Sequence, residues 1–373
     1  MNLKNVLFLM ALEGAIPTAA QPVITSLSHD DVLVCSNLAA ATTATVQWTT
    51  NSLGSNTVHW SSFSTNTAGT DGVLQAGVVI FPSGPPTFYR VMQTAPAGMA
   101  FIPAGSFTMG DTIDGNPYGD AAPTNVYVAA FYIDTTLVPY GLWDSVYANA
   151  TNHGFSFSTN SAPGPGTNDP VNSENWYDCV KWCNARSFYV GLQPVYFTDA
   201  ALTQVYTNSE TDAVYVNWSA NGFRLPTEAE WEKAARGGNH GLRFPWGNLI
   251  SETNANYYSD GTLSYDLGPA GYNANFDRGS QPWTSAVTFF PPNDFGLYDL
   301  AGNLWQYCWD WYGAPYGQPT TNNPTGPSAA TGLRVIRGGL WDHNANFSRC
   351  ANRFFHIPGD IRNEVGFRCV RAH

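Results

Sequence analysis

The chain has 373 residues, too many for one small core, so two domains are expected. Apolar residues make up 43% and charged residues only 12%, which gives surface to bury with little self-repulsion and excludes a disordered protein. A net charge of −12, with no run of Lys or Arg, argues against nucleic acid or an anionic membrane as partner.

At the start, Lys4, an apolar run from Val6 to Leu12 and Thr18-Ala19-Ala20 follow the order of a secretory signal. Residues 1–20 are read as a signal peptide cleaved after Ala20, and the protein as secreted or periplasmic. Nothing else approaches the roughly 20 apolar residues of a membrane span. Residues 21–97 read as a small β module. Ala44-Thr45-Val46-Gln47-Trp48 alternates like a half-buried strand, and Gly77–Phe81 and Phe88–Met92 are further strand candidates. Short strands over this length suit an immunoglobulin- or fibronectin-like sandwich, a spacer or adhesive module.

Thr94 to Gly98 reads as a linker, and residues 98–373 as the second domain. Met99 to Gly110 holds two apolar runs around Pro103-Ala104-Gly105, which predicts a hairpin. Val126 to Ile133 predicts a strand. Leu142 to Ala150 and Trp176 to Tyr189 have helical spacing. Thr227 with Glu230 three residues on forms a capping box, which starts a helix stopped by Gly237-Gly238. From Phe244 onward, 35 Gly and 25 Pro in the whole chain leave room for short strands and turns.

Six cysteines occur: Cys35, Cys179, Cys183, Cys308, Cys350 and Cys369. Cys179 and Cys183 share one side of a helix. No second closely spaced pair exists, so zinc is a poor reading. The chain also lacks a phosphate loop, a nucleophile elbow and a His-Glu-x-x-His motif. Glu228 and Glu230 fit helix capping better than acid–base work.

An ordered set of motifs spans Met99 to Arg371. It includes Phe101-Ile102-Pro103-Ala104-Gly105-Ser106-Phe107, Arg224-Leu225-Pro226-Thr227-Glu228-Ala229-Glu230-Trp231, Phe244-Pro245-Trp246-Gly247, Gly302-Asn303-Leu304-Trp305-Gln306, Arg337-Gly338-Gly339 and Gly366-Phe367-Arg368. Together these resemble the formylglycine-generating enzyme, or sulfatase-modifying factor, family. The resemblance implies an α+β, loop-rich fold related to C-type lectins. It also implies that most of the shared Trp, Gly and Arg residues are scaffold.

The resemblance further implies copper(I) held by two cysteine thiolates just after Arg-Gly-Gly, where a substrate cysteine is oxidised. Here that segment, Leu340 to Arg349, contains no cysteine, so copper is not expected. Leu340 replaces a serine of the family, and Leu137 and Pro139 replace Glu and Thr. Structural calcium is expected at two places. Asp299, Gly302, Leu304 and Gln306 match one site, where Gln306 replaces a calcium-binding Glu; Asn256 matches the other. The family also pairs Cys183 with Cys369. Cys350 loses its family partner, because Ala235 stands there, and Cys179 is the expected replacement.

Two functions follow. The first is a non-catalytic module that binds a protein or small-molecule ligand at the C-terminal surface, through Trp341, Asp342, His343, Asn344, Asn346, Phe347, Arg353 and Phe355. Within that set His343 reads as solvent-exposed. Lectin-fold proteins diversified by retroelements carry a similar Asn-rich, aromatic segment there. The second is a formylglycine-generating or related protein-modifying oxidase, using Cys308 and Cys350 if they lie free and close together.

Overall fold

The computed structural model describes the backbone of seven strands within residues 1–94, and residues 95–373 except 159–165, 278–280, 282, 315 and 317–319. The chain divides into two compact units, Met1–Pro96 and Ala97–His373.

In the first unit, β1 (Val6–Phe8), β7 (Thr87–Gln93), β4 (Thr43–Thr49) and β5 (Ser61–Thr67) form one sheet in that order. β2 (Val23–Leu27), β3 (Val32–Ser36) and β6 (Leu74–Gly77) form a second. The alternating segment around Val46 is β4, and the segment around Tyr89 is β7. Of Gly77–Phe81 only Gly77 is in a strand; the rest lies outside the described residues. β1, inside the segment read as a signal, pairs in parallel with β7.

The second unit mixes short strands with three helices among its described residues. The expected hairpin at Met99–Gly110 does not form. β8 (Met99–Ile102) pairs with β11 (Phe131–Asp134), while β9 (Gly105–Met109) pairs with β10 (Thr124–Val128). The chain changes sheet at Pro103-Ala104 and again at Ala129-Ala130, which also splits the strand expected over Val126–Ile133. Burial explains the exchange. All of β11 is buried between β8 and β18 (Val370–Ala372), whereas β9 and β10 alternate as a half-solvated ribbon.

The helices fall where the spacing predicts them. α1 (Tyr140–Thr151) and α2 (Trp176–Tyr189) stack through Trp143 and Trp182, whose rings lie 5.5 Å apart and 4° from parallel. Phe367 meets both edge-on. These contacts bring the C-terminal strand against α2. A two-stranded pair, β12 (Tyr196–Phe197) and β13 (Tyr215–Val216), follows.

α3 (Glu228–Ala235) is entirely buried, and the capping box of Thr227 and Glu230 is present. Gly237 and Gly238, at φ of +60° and +84°, end it. Ala229, Trp231, Ala234 and Ala235 pack in one core with Cys308, Val335, Cys350 and Val370. Four more strands form the last sheet, in the order β16 (Phe354–His356), β15 (Arg334–Arg337), β14 (Trp305–Trp311) and β17 (Val365–Gly366).

Burying a polar helix requires partners for its charges. Glu232 accepts from Gly110 N at 2.7 Å, from Arg236 at 2.6 Å and from Arg337. Glu228 takes both arms of Arg353, at 2.5 and 2.8 Å. Arg224 grips Glu230 with two bonds of 2.6 Å. Breaking a buried ion pair strands the remaining charge. Glu232→Gln is therefore expected to lower unfolding free energy by about 3–5 kcal/mol. Urea denaturation followed by tryptophan fluorescence measures it, and a loss below about 1 kcal/mol would show that the network is dispensable.

Candidate ligand-binding site

The segment from Leu340 to Arg353 is pinned at both ends. At its start, Gly338 and Gly339 adopt φ of +101° and +84°. A side chain on Gly339 would meet Ser348 Oγ at 2.8 Å, and one on Gly338 would meet Trp231 and Gln306 at 3.2 Å. Only glycine lets the chain double back so closely. At its end, Arg353 is buried on Glu228. Between them, Arg349 donates to Asp111 at 2.6 Å, and Cys350 N to Arg243 O at 2.8 Å.

The residues expected at the surface divide into two groups. Trp341 is 3% exposed, packed against Trp283 and Tyr272 with ring centroids 5.4 and 5.9 Å away. Arg353 is equally buried. Both belong to the core, because a large apolar ring and a saturated ion pair gain more from burial than from solvent. Asp342 is exposed and accepts from Tyr272 Oη at 2.6 Å, the bond that pushes the tyrosine hydroxyl up to about 12.

Asn344 and Asn346 are half-buried. Asn344 caps the short 3-10 turn Ala345–Ser348 and donates to Asp260 at 2.7 Å. Asn346 donates to Tyr118 Oη at 2.7 Å and accepts from Arg349. Both asparagines shape the segment.

His343 is half-buried rather than solvent-exposed. Its Nδ1 accepts from Trp305 Nε1 at 3.2 Å, and its ring lies 4.7 Å from Phe347. Burial holds its pKa below the usual histidine value, against the pull of Asp342 and Glu364. The neutral ring is the one that accepts the Trp305 bond.

What emerges on the surface is an aromatic shelf. Phe354 and Phe355 stack 5.1 Å apart at 13°, each 37% exposed. Trp305 stacks beneath Phe354 at 5.6 Å. Phe347 stands at 87° to Phe354, 6.2 Å away. Tyr118, 57% exposed, extends the shelf beyond Phe347, and Tyr312 extends it beyond Phe355. Of these, the sequence reading named Phe347 and Phe355. It missed Tyr118 and Tyr312, which lie on distant loops, and Phe354, whose adjacency to Phe355 was the available signal.

Of the positions matched to a first calcium site, Gln306 is held by the protein itself, while Asp299 Oδ2 is buried without a hydrogen-bond partner. Gln306 is fully engaged: Nε2 donates to Asp299 O at 2.6 Å, and Oε1 accepts from Arg368 at 2.7 Å and Trp231 at 2.9 Å. Arg368 also donates to the backbone oxygens of Tyr298 and Asp299, so a cation already sits among these oxygens. Gly302 N bonds Gly338 O, and Leu304 is buried in the core. Burial pushes the Asp299 carboxyl up to about 7, opposed by Arg368. At the second position Asn256 donates to Trp283 O at 2.8 Å and accepts from Asn303 N.

The thiols are also placed. Cys308 and Cys350 lie in the same core, fully buried. Burial pushes Cys350 up to about 11 and Cys308 well up, which disfavours the thiolate form of each in the metal-free protein. They do not fit a copper(I) dithiolate centre. Cys183 and Cys369 Sγ lie 3.6 Å apart as thiols, with Cys179 close enough to act on both electrostatically. Cys350 belongs to the core cluster of Ala234, Ala235 and Cys308, which does not include Cys179, and both thiols are free.

A mixed domain of short strands around buried helices, with a surface built on a long loop, defines the C-type-lectin-like class. Within it, the chain belongs to the family of sulfatase-modifying factor enzyme 1-like domains, whose model matches residues 86–373. The formylglycine-generating enzyme of Thermomonospora curvata is 32% identical over 303 residues, covering 75% of this chain and 95% of that one. The serine/threonine-protein kinase pkn1 of Chlamydia pneumoniae is 38% identical over 159 residues, but the chain spans only 22% of that protein's length. Among solved structures, Treponema denticola variable protein 1 matches at 27% identity and a TM-score of 0.57, covering 79% of this chain and 98% of that one.

The division between core and shelf is testable by substitution. Trp341→Ala should cost about 3–5 kcal/mol of stability. Phe355→Ala should cost about 1 kcal/mol or less. Denaturant midpoints compare the two, and equal losses would place Phe355 in the core as well.

Proposed function

We propose that this chain is an exported, non-catalytic member of its family that binds a protein or small-molecule ligand on the aromatic shelf. The carrying observation is the chemistry of the Leu340–Arg349 segment. Where the family places two copper-binding cysteines, this segment offers Asp342, His343, Asn344 and Asn346, and the thiols among the described residues are buried. Backbone and carboxylate oxygens do not replace soft sulfur donors for copper(I). Exposed phenylalanines backed by a rigid tryptophan instead suit recognition by contact.

Formylglycine generation is the second reading, favoured by 32% identity to enzymes of that name over three quarters of the chain. The two readings separate in one assay. Purified protein is given copper, oxygen and a peptide containing Cys-x-Pro-x-Arg. No formylglycine is expected by mass spectrometry. Turnover would overturn the non-catalytic reading, and Cys308 and Cys350 would then be the residues to replace.

The same proposal includes a removed signal, a small sandwich-like module over residues 21–97, and an oxidised Cys183–Cys369 pair. Such a bridge would close a loop of nearly two hundred residues, for which chain entropy gives about 4–5 kcal/mol. Support comes from the 3.6 Å approach of the two sulfurs and the Lys4–Ala20 pattern. Mass spectrometry of exported, non-reduced protein should find an N-terminus near Gln21 and a peptide joined through both cysteines. An intact Met1, or two free thiols, would remove the corresponding part.

A further inference from the structure

The loop between β9 and β10 closes on itself at its base. Asp111 N donates to Ala121 O at 2.8 Å, and the preceding Gly110 N to Glu232 at 2.7 Å. Between these ends, none of the residues from Thr112 to Gly119 is buried. Gly115, Asn116 and Gly119 have φ of +75°, +54° and +72°, so the chain turns back sharply within this span. A surface loop fixed only at its base needs further contacts to hold its tip.

Two contacts hold it against the binding segment. Asp114 lies in a fork of two guanidiniums: Arg243 Nη2 and Nε donate to it at 2.6 and 3.0 Å, and Arg349 Nη1 at 3.2 Å. Tyr118, itself 57% exposed, accepts from Asn346 Nδ2 at 2.7 Å and stacks on Phe347 at 6.5 Å. The first contact is ionic, bidentate and part-buried. The second is an exposed hydrogen bond with a wide ring contact, which water replaces at little cost. The Asp114 carboxylate therefore carries most of the hold.

Little else resists the loop's departure. A cleft lies under it, lined by residues 110–114 on one side and by Arg236, Leu242, Arg243, Arg349 and Ala351 on the other, with room for about one water molecule. Without Asp114, Arg349 keeps Asp111 at 2.6 Å and Asn346 Oδ1 at 2.8 Å. Arg243 keeps Asn248 O at 2.8 Å and the Tyr265 ring at 4.2 Å, and its side chain is 14% exposed, so water reaches it. Glu232 and Arg337, both fully buried, have no such recourse.

We propose that Thr112–Gly119 is a flap over one edge of the shelf, latched by Asp114 in the Arg243–Arg349 fork. Unlatching lifts Tyr118 from Phe347 and Asn346 and opens the cleft, with Arg243 at its mouth. The shelf then has a closed form edged by Tyr118, and an open form that presents Phe347 beside a guanidinium released from its carboxylate. The motion involves this loop alone, so it does not depend on what the shelf binds.

Chymotrypsin cleavage of the full chain after Tyr118, located by mass spectrometry, measures the open population. Asp114→Ala should speed that cut about tenfold, the order expected for losing charge-assisted hydrogen bonds. Arg243→Gln should act likewise, and the double variant should be no faster than Asp114→Ala, because both changes remove one interaction. Raising salt from about 0.05 to 1 M should speed the cut in the unaltered protein and not in Asp114→Ala. Phe347→Ala, which removes the ring contact and leaves the latch, should change the rate less than Asp114→Ala does.

Cleavage after Trp218, 44% exposed on another loop, controls for protease and salt and should stay constant. Denaturant midpoints confirm that each variant is folded. An unchanged cut in Asp114→Ala overturns the latch. A larger effect from Phe347→Ala places the hold in the ring contact and overturns it as well. Faster cutting after both Tyr118 and Trp218 means general loosening and overturns it too.

Discussion

The second unit depends on two glutamates of one short helix. Glu228 and Glu232 lie on α3, fully inside the core, and each holds an arginine that flanks the segment from Leu340 to Ala351. Arg337 stands just before the double glycine and Arg353 just before the shelf phenylalanines. Taking a carboxylate or a guanidinium out of water costs free energy that an opposite charge and hydrogen bonds offset. The helix and the segment therefore cannot separate without exposing charges to an apolar interior. This mutual requirement fixes the ends of a loop that has little regular structure of its own.

Within that frame, positions divide by task. Trp341, Arg349 and Arg353 face inward and hold the loop. Phe347, Phe354 and Phe355 lie at the surface, where few hydrogen bonds constrain them. The family likeness is carried mainly by the first kind of residue, which explains how a chain can share the fold of named enzymes at 32% identity while its segment lacks their thiols. Gln306 shows the same logic. It is satisfied by Trp231, Arg368 and a backbone oxygen, so the scaffold closes there on hydrogen bonds alone.

How far the sequence reached follows from what kind of signal each feature has. α2 and α3 were legible because spacing and capping are local. The Thr227–Glu230 box needs only four residues to be recognised. The hairpin at Met99–Gly110 misled because its two runs do look complementary; what decides their partners is the burial of β11, a property of the whole sheet. Trp341 misled for a related reason. Its polar neighbours in sequence suggested solvent, while the rings that cover it, Tyr272 and Trp283, come from a loop some sixty residues earlier. Tyr118, more than two hundred residues from Asn346, lay beyond any local pattern.

The closing strand has a consequence for how the molecule is made. β18 completes the sheet with β11 and β8, Val370 bridges to Arg224, and Arg368 fills the space beside Gln306. No earlier portion of the unit can bury these surfaces by itself. During synthesis, residues from Met99 onward must wait until Val370 has left the ribosome before the core can shut. A chain emerging at about 5–20 residues per second spends more than ten seconds in that open condition. Through that interval the apolar faces of the unit stay open to chaperones and to association with other chains.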